Sequence, residues 1–571
     1  MIKFDKKIQN EATLCSENQG SCAKVSLLLF HTIRYLKPVQ IYQRLFFMLF
    51  KPGLCNSAHE DLRSCSDVNP QFLKKKQCYF PPDRFVFLNC SGNLKQVSSW
   101  NDSKMEKLWL YSLHYFDDLN SQNAAERELD HKCLIDRWIT ENPSGEGNGW
   151  EPYPISLRTV NWIKWVLNGH RMSEKQLISL FQQLDWLSQR LEYHLLGNHL
   201  IANVKALIFG GLFFSGDRSD RWLDKGLSIM NHQINEQILD DGGHFERSPM
   251  YHAIILEDIL DIIQMAEVYK KEISDNVVSF WRKIALKMLS ALEAMCHPDG
   301  EIGFFNDAAM GIAPRLSDLI LYADQLKIRY RRDVTKNIQI LSTTGYVSIT
   351  RKSMALLVNI APIKPDYLPA HAHADTFSFE LSIGTQRVFV NSGTSCYGAG
   401  PERLRQRKTS AHNTLSVDGE DSSEVWSGFR VARRARIRSS KVENAMDMDI
   451  IEASHDGFSR FKSIGLHHRK WCLSDNVLEI EDRLEGSGIH LVCIYFHFHP
   501  LIDLYLEQKN LFFLNPNNER IGEIQIESGL NFEIQNHTYH PEFGKSIPSR
   551  SFVVMSRTVL PFVCLTRIIA L

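Results

Sequence analysis

Near residue 335 the period of the apolar residues changes, and this change limits the fold more than any other feature of the chain. Before it, Leu177, Leu180, Phe181, Leu184, Leu187 and Leu191 recur at the i, i+3, i+4, i+7 spacing of one helix face. Ile254, Ile255, Ile259, Ile262 and Ile263 repeat the pattern, as do Ile284, Met288, Leu289, Leu292 and Met295. Gly210-Gly211, Ser215-Gly216-Asp217, Asp241-Gly242-Gly243 and Pro298-Asp299-Gly300 punctuate these runs as turns. After about residue 340, short alternating stretches take over. Gly345 to Thr350, Ala355 to Ile360, Phe377 to Ile383, Arg387 to Val390, Asn413 to Val417 and Val477 to Ile480 read as strands. The apolar run from Ser551 to Leu571 reads as terminal strands. Helices followed by strands predict two packed domains rather than alternating βαβ units. The expected division is an irregular helical lead-in over 1–100, broken at Lys37-Pro38 and Lys51-Pro52, a helical domain over 101–335 and an antiparallel sheet domain over 336–571.

Composition narrows the partners. With 65 Lys+Arg against 66 Asp+Glu, the net charge of −1 argues against a dedicated nucleic-acid binder. The 571 residues exceed what one core supports, and 44% apolar content excludes wholesale disorder. The 11 Trp and 17 Tyr suit stacking on sugar rings as well as core packing. Leu27 to Phe30 and Leu45 to Phe50 are far shorter than the roughly 20 residues of a membrane-spanning helix. With no apolar segment directly after the basic start, a cytoplasmic location is expected over a periplasmic or secreted one. Six of the 12 cysteines (Cys15, Cys22, Cys55, Cys65, Cys78 and Cys90) fall in the first 90 residues without a CxxC pair, which disfavours a zinc ribbon. Reduced thiols are expected, with disulfides the alternative for an exported chain.

Four clusters carry chemistry. Gly197-Asn198-His199 opens a helix, where Asn198 can cap or bind and His199, with a reference pKa of about 6.5, can act as a base. Asp241 to His252 forms a glycine-rich loop that enters a helix at Pro249, and Tyr251 stands at that helix start. A phenol with a reference pKa near 10 is a ready acid, and a base only if cations or hydrogen bonds lower it. His371-Ala372-His373-Ala374-Asp375 reads as a strand with His371, His373 and Asp375 on one face. With His412 as a third group, the histidines have metal-ligand character. The fourth cluster is basic: Arg403, Arg405, Arg407 and Lys408 before His412, and Arg430, Arg433, Arg434, Arg436 and Arg438 after it. It is either a solvated face or a cationic trough for an anionic polymer.

Together these clusters resemble the heparinase II/III-like polysaccharide lyases and their relatives among alginate and other uronate lyases. The resemblance takes in His31 to Pro38, Leu108 to Phe116, Trp150 to Arg158, Asn198-His199, Gly243 to Tyr251, His371 to Asp375, Ser410 to Leu415 and His467 to Arg469. It implies an incomplete (α/α) toroid followed by an antiparallel β-sandwich. The implied chemistry is β-elimination at a uronic acid, which needs a neutralised carboxylate, a base for the C5 proton and an acid for the leaving O4. By this resemblance Asn198 and His371 neutralise the carboxylate, and His199 and Tyr251 share the base and acid roles. Glu246, Arg247, Tyr397 and Arg405 are expected along the substrate cleft. His373 and His412 match ligands of a structural zinc. Asn391 stands where the third ligand is an Asp, and a neutral amide is the poorer donor. Zinc binds weakly there, another acid such as Asp375 substitutes, or hydrogen bonds alone hold the floor. The expected partner is an acidic polysaccharide or oligosaccharide. Two other classes fit parts of the pattern. One is a glycoside hydrolase on the same toroid, which needs two carboxylates from among Glu246, Glu151 and Asp241. The other is a non-catalytic polysaccharide-binding or assembly protein derived from a lyase.

Overall fold

The computed structural model describes residues 19–53, 58–66, 69–332, 336–507, 510–527 and 529–571. Its helical part has two kinds of helix. Pro152–Leu167, Gly197–Phe213 and Pro249–Val268 are buried around most of their circumference. Glu174–Ser188, Asp217–Gln237 and Asp275–Glu293 bury one stripe each, such as Trp222, Leu223, Gly226 and Met230. A helix apolar all round must be enclosed, whereas an amphipathic one covers it from outside. Sequence neighbours therefore pack as inner–outer pairs, which build the incomplete toroid. Gly226 sits at one crossing, where a Cβ would lie 2.8 Å from Ile208. Start signals match the pattern: Ser173 caps its helix through Gln176, and Pro152 and Pro249 occupy first-turn positions where no N–H partner is needed.

The strands form antiparallel sheets. A five-stranded meander comprises Ile338–Leu341, Tyr346–Arg351, Met354–Asn359, Phe379–Ile383 and Gln386–Phe389. A four-stranded sheet centres on Ile489–His497 and Ile547–Val559, and an eight-stranded sheet holds Ile464–Leu473, Val477–Gly486 and Phe562–Ala570. Phe379 and Phe389, Phe496 and Phe552, and Trp471 and Ile568 bring the three sheets into one sandwich core. Burial alternates along Val477–Gly486, as the two-residue period requires. Tyr346, Leu357, Val390 and Tyr539 join the helical core instead, so the two halves pack face to face. Arg387 clamps that contact by a two-pronged pair with Asp299 at 2.7 and 3.0 Å.

Two local readings change. The lead-in holds not only the helices Gln19–Ile33 and Pro38–Leu49 but also a three-stranded sheet of Tyr79–Phe80, Arg84–Phe87 and Cys90–Asn93. The aromatic alternation of Tyr79, Phe85 and Phe87 packs those strands onto Trp109 and His131. His371 to Asp375 is a loop, not a strand. Its backbone is held by other loops: His371 O accepts from Asp307 N at 2.9 Å, His373 N donates to Asn306 Oδ1 at 3.0 Å, and Ala374 N donates to Arg407 O at 2.9 Å. Cys65, Cys78 and Cys90 are free thiols, while Cys15, Cys55 and the side chain of Cys22 lie outside the described residues. Among the described residues no helix is long and apolar enough to cross a membrane.

Candidate active site

The site forms where the starts of two buried helices meet the His371 loop. Leu196 and Gly197 both take positive φ (63° and 55°) as the chain turns into helix Gly197–Phe213. A Cβ on Gly197 would collide with Glu246 Oε1 and with Leu368, so only glycine lets the loops close here. Asn198 follows at once. Its backbone N donates to Glu246 Oε1 at 3.1 Å and its Nδ2 reaches both Glu246 oxygens at 3.2 Å. A carboxylate only accepts, so Glu246 fixes which end of the amide faces inward. The same Nδ2 lies 3.4 Å from His371 Nε2, and Glu246 Oε2 lies 3.5 Å from that nitrogen.

Tyr251 enters from helix Pro249–Val268, whose N-cap Ser248 accepts from Tyr251 N at 3.2 Å. Its ring stacks obliquely on His371, with centroids 3.9 Å apart. The Tyr251 and Tyr397 hydroxyls lie 2.9 Å apart. Burial, reinforced by the neighbouring Tyr397 phenol, pushes Tyr251 well above the usual tyrosine range, and burial does the same to Tyr397. His199 packs against Tyr153, with ring centroids 4.5 Å apart. Its side chain is 31% exposed, and Nδ1 meets Glu192 Oε2 at 3.2 Å. Burial disfavours the charged imidazole, but the Glu192 carboxylate outweighs it and raises the His199 pKa.

Asp307 underlies this cluster. Its two oxygens meet His371 Nδ1 and His373 Nε2, each at 2.8 Å, and both also bind the buried Arg403 guanidinium. Burial alone would raise its pKa, but Arg403 holds it well below the carboxylate range. No sequence pattern marks Asp307, and Arg403 stands within the basic run. The i, i+4 spacing of Arg403 and Arg407 on helix Pro401–Arg407 is the signal that they share one face. That face is inward: Arg407 donates to the Ala372 carbonyl at 2.9 and 3.1 Å. Arg433 pairs with Glu424, Arg434 with Asp366 and Arg438 with Asp456. The basic run is thus largely bonded within the protein and is not an open trough. Arg405 bonds Glu402, Thr538 and His540, and Arg247 donates to the carbonyls of Thr343 and Pro362. Asn198, Glu246, Tyr251, His371 and Tyr397 are brought together; Arg247 and Arg405 are engaged elsewhere.

The implied zinc ligands do not fit one ion. His373 Nδ1 faces His412 Nε2 at 3.2 Å, but Asn391 Oδ1 lies on the opposite nitrogen, 3.2 Å from His412 Nδ1. The donors form a chain rather than converging, and a tetrahedral ion takes one nitrogen per ring. Asp375 turns to Asn306, whose N–H donates to its Oδ2 at 3.0 Å. Among the described residues no three His, Cys, Asp or Glu side chains are grouped to hold a metal.

Comparison with known proteins accords with this geometry. A heparin-sulfate lyase from Pedobacter heparinus is 22% identical over 464 residues, covering 72% of this chain and 66% of the relative, so the chain spans just under two thirds of that protein. FtsZ-localized protein C from Caulobacter vibrioides is also 22% identical, over 68% of this chain and 69% of its own length. The crystal structure of heparinase III superposes with a TM-score of 0.65 at 15% identity, over 94% of this chain and 85% of that one, which establishes the shared fold. The family model for the heparinase II/III N-terminus matches residues 95–325, and the heparinase II/III-like C-terminal model matches 334–564. Tyr251 falls in the first match and His371 in the second, side by side in the fold, and the chain belongs to the heparinase II/III-like family.

Proposed function

We propose that this chain is a polysaccharide lyase that cleaves a uronic-acid-containing polymer by β-elimination. The observation that carries the reading is the pair of buried hydroxyls, Tyr251 and Tyr397 at 2.9 Å, set against a His371 ring whose Nε2 adjoins the Asn198 amide. Asn198 offers an amide N–H to the uronate carboxylate, and His371, whose Nδ1–H is held by Asp307, adds Nε2–H when the ring is doubly protonated; both withdraw charge from C5 and make its proton acidic. Burial pushes both phenols above their ordinary range, which disfavours the phenolate a base role needs and leaves the hydroxyl form to face the leaving O4. Neutral His199 takes the C5 proton, the C4=C5 double bond forms, the C4–O4 bond breaks, and Tyr251 delivers its proton to O4. Proton exchange with solvent then resets both groups. The floor is held by the Asp307–His373–His412–Asn391 hydrogen-bond chain.

A relative named for FtsZ localisation matches at the same 22% identity as the lyase, so identity does not choose between activity and binding alone. The grouping of Asn198 and His371 with the Tyr251 and Tyr397 hydroxyls favours activity. The test is ultraviolet absorbance during incubation with heparan sulfate, alginate, hyaluronate and bacterial acidic exopolysaccharides. The expected result is rising absorbance from the conjugated product with one of them. Reducing ends without absorbance indicate a hydrolase, and binding without either signal indicates the non-catalytic reading.

A further inference from the structure

The N-terminal helices leave a broad apolar face in water. In helix Pro38–Leu49 the residues facing the protein are Val39, which packs on the helical core, Gln40 and Phe47. Gln40 is buried and donates to the Tyr367 carbonyl at 3.2 Å. Phe47 lies under the Arg190 guanidinium at 3.8 Å, and its carbonyl accepts from Arg190 at 2.9 Å. The outward face carries Ile41, Tyr42, Leu45, Phe46 and Leu49, with Leu45 56% and Leu49 87% exposed. The i, i+4 spacing puts them on one stripe. Helix Gln19–Ile33 repeats the arrangement: Thr32 accepts from Trp426 Nε1 at 3.1 Å, while Val25, Leu29, Phe30 and Ile33 are exposed. A surface helix ordinarily turns its apolar stripe to the core, and an exposed contiguous apolar patch marks an interaction surface.

Charge identifies what the surface meets. Residues 19–53 contain no Asp or Glu and five Lys or Arg. Lys37 pairs with Glu236, leaving exposed Lys24, Arg34, Arg44 and Lys51 beside the apolar stripes. Neither helix can span a bilayer. An outward apolar stripe on a segment whose own charges are all cationic is the pattern of a helix lying in the headgroup layer of an anionic membrane. We infer that the helix pair Gln19–Ile33 and Pro38–Leu49 is a docking surface for an anionic lipid bilayer. The pair is tied to both halves of the protein, through Lys37–Glu236 on the helical side and Trp426–Thr32 on the sheet side. Its contact with Tyr367 also adjoins the loop that leads to His371, so docking would set the cleft at a defined position against the membrane.

The test is co-sedimentation of the full chain with vesicles of phosphatidylcholine alone, and with vesicles of equal parts phosphatidylcholine and phosphatidylglycerol. Binding to the mixed vesicles only, weakened by salt, is expected. The double change Leu45→Glu and Phe46→Glu should abolish it. Arg44→Ala and Lys51→Ala should each weaken it about fivefold. Melting curves check that the variants fold. If the glutamate variant does not fold, the two alanine variants decide alone. Absence of binding to mixed vesicles, or equal binding to both kinds, overturns the inference. So does a dimer in solution, seen by light scattering, that the glutamate change dissociates while vesicle binding is absent: the stripe is then a contact between copies.

Discussion

Asp307 joins two histidines that the sequence separates into different roles: one oxygen meets His371 Nδ1 and the other His373 Nε2, both at 2.8 Å. A single buried carboxylate thus orients the ring beside Tyr251 and the ring in the floor, with Arg403 balancing its charge. Asp307→Asn keeps the shape but removes the charge that offsets Arg403. Breaking a buried ion pair from one side costs about 3–5 kcal/mol. The expected outcome is a clear loss of melting temperature together with lower kcat. An unchanged kcat in a folded variant would show that His371 needs no such orientation.

Tyr251→Phe removes one hydroxyl and leaves the ring stacked on His371. If Tyr251 is the acid as proposed, its loss should lower kcat by roughly 10²–10⁴-fold. The lost hydrogen bond to Tyr397 should cost only about 1 kcal/mol of stability. Product absorbance and a melting curve read the two effects separately.

The pH profile should report His199. Glu192 raises its pKa, so the neutral base appears only as pH climbs past the ordinary value near 6.5. Activity should therefore rise with pH on that limb. Glu192→Gln removes the partner and should move the limb to lower pH. The stability sign is opposite: a raised folded pKa stabilises fully below the unfolded value, and that contribution fades as pH rises through the folded one. Glu192→Gln should accordingly cost more stability at pH 5 than at pH 9, as thermal melts at both values would register.

Gly197→Ala meets two penalties, a positive φ and a collision with Glu246 and Leu368. Backbone strain of this kind costs about 1–3 kcal/mol. The variant should melt earlier and raise KM, because Glu246 positions Asn198. Kinetics on the purified variant would separate the two effects.

Metal removal tests the floor. Because Asn391 faces the far nitrogen of His412, treatment with a chelator should leave the melting temperature unchanged. Elemental analysis that finds one zinc per chain, with a chelator-induced fall in melting temperature, would reverse this reading.

The sequence by itself determined the order of the architecture, helices and then antiparallel strands, because amphipathic period is a local property that survives in any tertiary setting. It also carried the residues of the proposed site, since Asn198-His199, the Tyr251 helix start and His371 each stand in a recognisable local pattern. It did not reveal that His371 to Asp375 is a loop, because alternation of His and Ala looks like a strand until another loop, through Asp307 N and Asn306 Oδ1, takes its hydrogen bonds. The fate of the arginines was equally hidden. Arg403 and Arg407 look like part of an exposed basic face, and become buried only because Asp307 and the Ala372 carbonyl arrive from distant parts of the chain. Tertiary structure alone decided which nitrogen of His412 faces Asn391, and which side of the N-terminal helices faces water. Both depend on where a second segment sits, and partners far apart in sequence leave no periodic trace.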